Sequence, residues 1–495
     1  MIRALRHASF AAALLALSSL AAPGAAEPPA PAPPSAPAPR VDPAPILDAI
    51  QKLAADVQRW GGAVGVSVID AGTGETLAAI GEHRAFNPAS NAKLATAAAA
   101  LRVLGAQHRF LTGLYGAIEA DHVDGLVLRG DGDPSLRTAD LWAMAAELRA
   151  AGVRRVRGIL VDQSAFDDRY VPPAFDQQSD EWAAFRAPVA PVSLNENTVT
   201  FTVRATKDGK DAAVEVEPPG FVDLDGSVIT TRKDDPEKVM IGLAAKGARL
   251  SGRLAGSVPE GRLVKIARRV DDPRLLAGYA LREALRQVGV EVAGEVKAGG
   301  AGRTGLLALH RSASLGALIF ALGKESDNFY AEMLFKAIGE RSKGRPASAD
   351  AGAEAVRRTL EDLGAFEPGM VVKNGSGLFD ANRTTPAATT ALLRAMLRDA
   401  AAGPEYLAQL SIGGVDGTLR ARFHAFASTH AIRAKTGTLD AVAALSGYVL
   451  APPGRSPLAF SVLVNGIPGK VGAARPSMDR IVEAAAEELW KGVAP

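Results

Sequence analysis

The sequence predicts a multidomain α/β protein. Its core is a five-stranded antiparallel sheet flanked by helices, joined to a helical part and carrying a large β-rich insertion. Three observations lead there. Near the N-terminus, Gly62–Ile69 and Thr76–Ile80 are β-rich runs on either side of the turn Asp70–Glu75, the pattern of a hairpin. Near the C-terminus, His430–Thr436, Val442–Leu450 and Leu458–Asn465 read as strands and Ser477–Lys491 as a helix. Between the two ends, short strand-like pieces alternate with Gly, Pro and Asp turns from about Gln107 to Val270. One sheet assembled from both ends with an insertion between them accounts for all three, because domain termini usually lie close together.

The elements follow in order. Arg3 and Arg6, the apolar run from Ala8 to Ala22 and the small residues Gly24-Ala25-Ala26 make residues 1–26 a secretory signal. The apolar run is shorter than the ~20 residues a membrane-spanning helix needs. Residues 27–43 are mostly Pro and Ala, a semi-rigid spacer. Ile46, Leu47, Ile50, Leu53, Val57 and Trp60 recur at helical spacing and open the folded part. A split domain is expected over 44–107 and 271–495, with an inserted β-rich part over 108–270 that one helix, about Thr138–Ala151, interrupts. Further helices are expected over Asp272–Val288, Leu315–Ile338, Ser348–Leu363 and Thr385–Ala402.

Composition narrows the function. The chain is 47% hydrophobic and 22% charged with a formal charge of +2, and removal of Arg3 and Arg6 leaves it close to neutral. Neither nucleic acid nor an anionic membrane surface is an expected partner. There is no cysteine, which excludes a disulfide, a lipid-anchoring cysteine and a thiol nucleophile. The mature protein is expected to be exported, to the bacterial periplasm, without a transmembrane anchor.

The candidate chemistry centres on Asn87-Pro88-Ala89-Ser90-Asn91-Ala92-Lys93. Asn87 suits an N-cap and Pro88 the first helical position, which would place Ser90 in the first turn where free N–H groups favour negative charge. Lys93 at i+3 shares a face with Ser90. The run Leu94–Leu104 is apolar on nearly every side, so the helix is enclosed, and a desolvated lysine there becomes a base. Alone, Ser-x-x-Lys more often marks a solvated helix face. Two further motifs change that reading: Ser326-Asp327-Asn328 between helical patterns, and Lys435-Thr436-Gly437-Thr438 on a strand. Ser-x-x-Lys, Ser-Asp-Asn and Lys-Thr-Gly, in this order, are the signatures of penicillin-recognising serine enzymes.

Other systems are absent. There is no Gly-x-Ser-x-Gly elbow and no His-Glu-x-x-His site, the histidines are scattered singly, and Asp131-Gly132-Asp133 reads as a plain turn. No metal or organic cofactor is expected. Ser193-Leu194-Asn195 also satisfies Ser-x-Asn, but it falls between strands of the insertion, so Ser326 is preferred.

With these motifs the chain resembles the class C low-molecular-weight penicillin-binding proteins, D-alanyl-D-alanine carboxypeptidases/endopeptidases of bacterial cell walls. The resemblance runs from about residue 45 to the end, through Lys324–Asn328, Asn374-Gly-Ser-Gly-Leu378, Gly414–Leu419, Arg433–Leu439 and Ser446-Gly-Tyr448. The long gap between Lys93 and Ser326 also fits that family, whose extra domains are inserted there. Two departures show: Asn374 stands where the family usually has Asp, and Asp440-Ala441 where a Gly is common.

The resemblance implies catalytic roles for Ser90, Lys93, Ser326, Asn328 and Lys435, and an oxyanion hole from the backbone N–H groups of Ser90 and Thr438. It also implies substrate contacts by Thr436, Gly437 and Thr438, and peptidoglycan peptides and β-lactams as ligands. In that family an acidic residue of the insertion meets the free amine of the substrate's side chain and an aromatic packs on its stem; by motif position these are Asp180 and Phe185. The alternatives are a serine β-lactamase, which has a shorter gap between the motifs, and an idle peptidoglycan-binding scaffold, which has no reason to keep the motifs together.

Overall fold

The computed structural model describes residues 40–178, 181–299 and 305–493. The secretory signal and most of the Pro/Ala spacer lie outside the described residues, as does Asp180.

The expected sheet forms from the two ends of the chain. Ala63–Asp70 pairs with Thr76–Ile80 on one side and, antiparallel along its length, with Leu458–Asn465 on the other. Val442–Val449 and Ile432–Leu439 extend the sheet, also antiparallel. The two-residue strand Ser411–Ile412 adds a sixth member beyond Ile432–Leu439. Alternation does not describe the central strands: all eight residues of Val442–Val449 are buried, because helices cover both faces.

On one face lie the first helix, Ala44–Arg59, and the last, Val471–Trp490; Ile46, Ile50, Leu53 and Val57 of the first pack with Met478, Ile481 and Val482 of the last. The last helix starts earlier than Ser477, the residue after its internal proline. Pro476 is the sixth residue of the helix, so the helix continues through it at the loss of one backbone hydrogen bond. On the other face an all-helical part surrounds Ala92–Val103. Leu94 and Ala97–Leu101 are buried against Leu315–Gly323, Asn328–Lys343 and Ala349–Asp362. Small alanines let these helices approach closely. Ser348 caps its helix through Ala351 N–H at 3.1 Å, and Thr385 caps Pro386–Arg398 through Ala388 N–H at 3.0 Å.

The middle of the chain is β-rich as expected, with its own core built on Leu128, Leu148, Val161, Phe201 and Leu281. The expected limit at residue 270 is not where its strand pairing ends. Gly305–Arg311 pairs with Leu111–Gly116, and Val296–Ala298 with Ile159–Asp162. The helix Leu276–Gln287 packs into the same core. The sequence boundary followed the return of helical periodicity, which carries no information on which sheet that helix covers. Among the described residues no helix is long and apolar enough to cross a membrane.

Candidate active site

Ser90 lies in a 3-10 turn, Ala89–Asn91, and the α-helix begins only at Ala92. This corrects the expected regular first turn. Asn87 is not the expected helix N-cap: its Oδ1 accepts the Ala89 N–H at 2.9 Å in an Asx turn, the 3-10 turn is preceded by Pro88 and the α-helix by Asn91, and Ala89 has φ +46°, which keeps a regular helix from starting before Ser90. The turn is clamped from several sides. A Cβ on Gly377 would lie 1.8 Å from the Ala89 carbonyl oxygen, and one on Gly437 2.8 Å from that of Pro88. These two glycines are therefore required by close approach of backbone to backbone. The Asn465 side chain accepts the Asn87 N–H at 2.8 Å and donates to the Asn87 carbonyl at 3.0 Å. Asn91 bridges the Lys435 carbonyl, 2.9 Å from its Nδ2, and the Ser446 hydroxyl, 2.7 Å from its Oδ1.

Lys93 follows one helical turn after Ser90, and its Nζ donates to Ser90 Oγ at 2.9 Å. The same amine donates to Asn328 Oδ1 at 2.7 Å and to the Ser376 carbonyl at 2.8 Å. Lys93 is 1% exposed. Burial pulls its pKa down to about 7, against the opposing pull of the Asp327 and Glu332 carboxylates. Neutral and charged forms therefore coexist near pH 7.

Ser326-Asp327-Asn328 divides its labour by backbone conformation. Ser326 has φ +60°, which breaks the preceding helix and turns its hydroxyl toward Lys435 Nζ, 2.7 Å away. Asp327 caps the next helix through Tyr330 N–H at 2.9 Å, and burial, with repulsion from Glu196, pushes its pKa up to about 6. Asn328 is the first helical residue, reaching Lys93 through Oδ1 and the Phe185 carbonyl through Nδ2 at 3.1 Å.

On Ile432–Leu439 successive side chains alternate. Lys435 and Gly437 face the nucleophile turn; Thr436 and Thr438 face the last helix. Lys435 Nζ also donates to the Thr436 carbonyl at 2.8 Å, and burial and the neighbouring Lys93 hold it well below the ordinary lysine value. Thr436 Oγ1 donates to Thr418 Oγ1 at 2.9 Å, while Thr438 Oγ1 accepts from Arg475 Nη2 at 3.2 Å.

Ser90, Lys93, Ser326, Asn328 and Lys435 thus converge as two hydrogen-bonded groups, Ser90–Lys93–Asn328 and Ser326–Lys435. Ser90, Ser326, Asn328, Phe185 and Thr438 line a cleft of about 710 Å³. The Phe185 side chain is 47% exposed at its wall. Thr436 and Gly437 instead border a smaller adjoining cavity. The rival Ser193 is buried, its hydroxyl donating to the Ala190 carbonyl at 2.7 Å, away from this cleft. Among the described residues, Glu119, His122 and Asp124 have metal-ligand spacing, but they do not line the cleft and Asp124 pairs with Arg157 at 2.7 Å.

Sequence reasoning missed Glu332, and it named Asn374 without reading its role. Glu332, buried one helical turn after Asn328, accepts the N–H groups of Gly375 at 3.1 Å and Ser376 at 2.8 Å. Its i+4 spacing from Asn328 is the signal that could have found it. Asn374 donates to the Pro173 and Leu378 carbonyls at 3.0 and 3.2 Å and accepts the Gly377 N–H at 3.0 Å. An amide does both; a carboxylate accepts only.

Comparison with known proteins agrees with this geometry. A D-alanyl-D-alanine carboxypeptidase of Actinomadura sp. (strain R39) is 36% identical over 444 residues, covering 85% of this chain and 81% of the relative. The crystal structure of penicillin binding protein 4 from Haemophilus influenzae superposes with a TM-score of 0.73 at 23% identity, covering 87% of this chain and 98% of that one. A second structure of that protein, complexed with a β-lactam, gives 0.69 at 24% identity, with the same coverage. The family model of the D-Ala-D-Ala carboxypeptidase 3 (S13) family matches residues 46–488. Over nearly the whole described chain, then, motifs, fold and family model agree, and the chain belongs to the S13 family of D-Ala-D-Ala carboxypeptidases.

Proposed function

We propose that the protein is an exported, periplasmic serine D-alanyl-D-alanine carboxypeptidase/endopeptidase, acting on peptidoglycan stem peptides through a Ser90 acyl-enzyme that β-lactams mimic. The observation that carries this reading is the 2.9 Å contact between Ser90 Oγ and a buried Lys93 amine whose pKa lies at about 7. Neutral Lys93 takes the Ser90 proton as the oxygen attacks the penultimate D-alanine carbonyl. The developing oxyanion is held by the backbone N–H groups of Ser90 and Thr438, donors typically worth ~3–4 kcal/mol each. Ser326, hydrogen-bonded to Lys435, passes a proton to the departing nitrogen. Asn328 orients the substrate amide and Lys93 together, and the hydroxyls of Thr436 and Thr438 receive the terminal carboxylate. Water then releases the acyl group. Cross-linked peptides undergo the same chemistry when the leaving nitrogen belongs to a second stem.

The inserted part supplies the rest of the substrate site in this reading. Phe185 supports it from the cleft wall, and Asp180 pairs with the substrate's free side-chain amine. The strand pairing supports an insertion that runs to Arg311, past the expected limit at residue 270.

Intact-mass analysis after incubation with benzylpenicillin tests the proposal. One added penicilloyl group per chain is expected, stable over the assay and lost in Ser90→Ala. An adduct that survives in Ser90→Ala refutes the nucleophile, and rapid penicilloyl release marks a β-lactamase instead.

A further inference from the structure

The turn that holds the rival Ser-x-Asn motif of the insertion is conformationally unusual. Asn195, Glu196 and Asn197 have φ +49°, +57° and +50°, three successive left-handed residues, none of them a glycine. Such backbone persists only where its surroundings over-determine it. Here they do. Asn197 Nδ2 donates to the Pro188 carbonyl at 2.9 Å and to Ser193 Oγ at 2.8 Å. Asn195 Oδ1 accepts the Thr138 N–H at 3.2 Å, and its Nδ2 donates to Thr138 Oγ1 at 3.0 Å. Ser193 Oγ lies 3.8 Å from Met333 Sδ, so the turn rests on the helix that Asn328 begins. These bonds fix the backbone on both sides of Glu196.

The Glu196 side chain enters a group of charges behind the catalytic base. Its Oε1 accepts from Arg137 Nη2 at 2.6 Å. Burial pushes the Tyr330 hydroxyl up to about 12, with Arg137 opposing and Glu196, Asp327 and Asp133 adding to it. Asp327 in turn holds the Tyr330 N–H. After burial, Glu196 is the largest influence on Asp327 and disfavours its carboxylate, whereas Lys93 favours it. The other charges acting on the two lysines of the site are Glu332, on Lys93, and Lys93 itself, on Lys435. Asp327 at about 6 and Lys93 at about 7 compete for one proton. When Asp327 holds it, Lys93 is the neutral base; when Lys93 holds it, the base is spent.

We infer that Glu196 is a positioning residue for the reaction, through which the insertion steers this shared proton onto Asp327 and keeps Lys93 neutral in mildly acid surroundings. The inference rests on the activity proposed above and gives the turn of the insertion a part in it. Its sign is distinctive. Acting directly on Lys93, loss of the Glu196 charge would weaken the lysine's hold on a proton and carry acylation to lower pH. Acting through Asp327, the same loss strengthens the carboxylate, returns the proton to Lys93 and brings the acid limb to higher pH.

The test is stopped-flow acylation by a chromogenic cephalosporin across pH, with the full chain, Glu196→Gln, Glu196→Asp, Asp327→Asn and the double variant Glu196→Gln/Asp327→Asn. Relative to its own alkaline plateau, Glu196→Gln should acylate about twofold or more slowly than the unaltered protein at about pH 6. Glu196→Asp, which withdraws the charge by one methylene, should shift the limb the same way by less. Asparagine at 327 can still cap its helix, and in that background Glu196→Gln should leave the limb in place. A limb that moves to lower pH in Glu196→Gln, does not move, or moves equally without Asp327 overturns the inference. Should Glu196→Gln fail to fold, an unmoved limb in Glu196→Asp overturns it. An unaltered protein that is not acylated at any pH overturns the activity itself, an outcome distinct from a misplaced limb in an active enzyme.

Discussion

Glu332 and Lys93 grip the same residue from opposite ends: Glu332 Oε1 accepts the Ser376 N–H and Lys93 Nζ donates to the Ser376 carbonyl, both at 2.8 Å. The buried carboxylate thus fixes the acceptor that fixes the base, and its charge also favours the protonated lysine. Replacing Glu332 by Gln removes that charge and leaves one of two N–H groups facing an amide donor. The acid limb of the acylation profile should move to lower pH, because Lys93 loses a group that raised its pKa, while the maximal rate falls. Stopped-flow acylation by a chromogenic cephalosporin across pH checks both. A rate that falls with no movement of the limb would limit Glu332 to a structural role.

The titration of Lys93 predicts the shape of that profile in the unaltered protein. The base works when neutral, so acylation should be flat above pH 7 and decline below it, approaching tenfold per pH unit. Lys93→Ala should lower acylation by ~10²–10⁴, the usual contribution of a general base. A folded Lys93→Ala variant acylating within threefold of the parent would move the base to Lys435 and Ser326.

Asn374→Asp restores the residue more usual in the resembling family, yet it should harm this protein. The substitution removes the donors to the Pro173 and Leu378 carbonyls and turns an acceptor toward them in a site that is 1% exposed. Leaving such groups unpaired costs about 1–3 kcal/mol each. Chemical denaturation should show a loss of about 2–6 kcal/mol for the two carbonyls together, with slower acylation because Ser376 belongs to the same loop. Unchanged stability would show that the loop rearranges to suit the acid.

The side-chain amine of the substrate provides a fourth test. Asp180→Ala should lower turnover of a peptide with a free amine at least tenfold relative to the same peptide with that amine acetylated, a difference of about 1.4 kcal/mol. Phe185→Ala should lower both, since the proposed site has it pack on the stem of that side chain. Equal effects of Asp180→Ala on the two peptides would remove that residue from the site.

What could be read in the sequence was what local geometry dictates. Ser90 and Lys93 share a face because helices repeat that way, and Lys435-Thr436-Gly437-Thr438 falls on a strand as its β-rich surroundings predict. The positive φ of Ala89 was not legible, since alanine gives no hint of a left-handed conformation; the approach of Gly377 and Gly437 stabilises it from outside. The start of the last helix at Val471 was hidden for a different reason. Pro476 reads as a helix boundary, whereas packing of the apolar face against the sheet outweighs one lost hydrogen bond. Strand pairing beyond Val270 was not legible because the partners Leu111–Gly116 and Gly305–Arg311 are far apart in sequence.

The pairing of Ala63–Asp70 with Leu458–Asn465 also sets a clock. A chain made from its N-terminus exposes Ser90 and Lys93 early, but the Asn465 side chain that grips Asn87 arrives hundreds of residues later, after Lys435. Contacts so distant in sequence close slowly and late in folding. The grip of Asn465 on Asn87 therefore cannot close before residue 465 has been made, and a chain shortened before Asn465 lacks this clamp on the nucleophile turn.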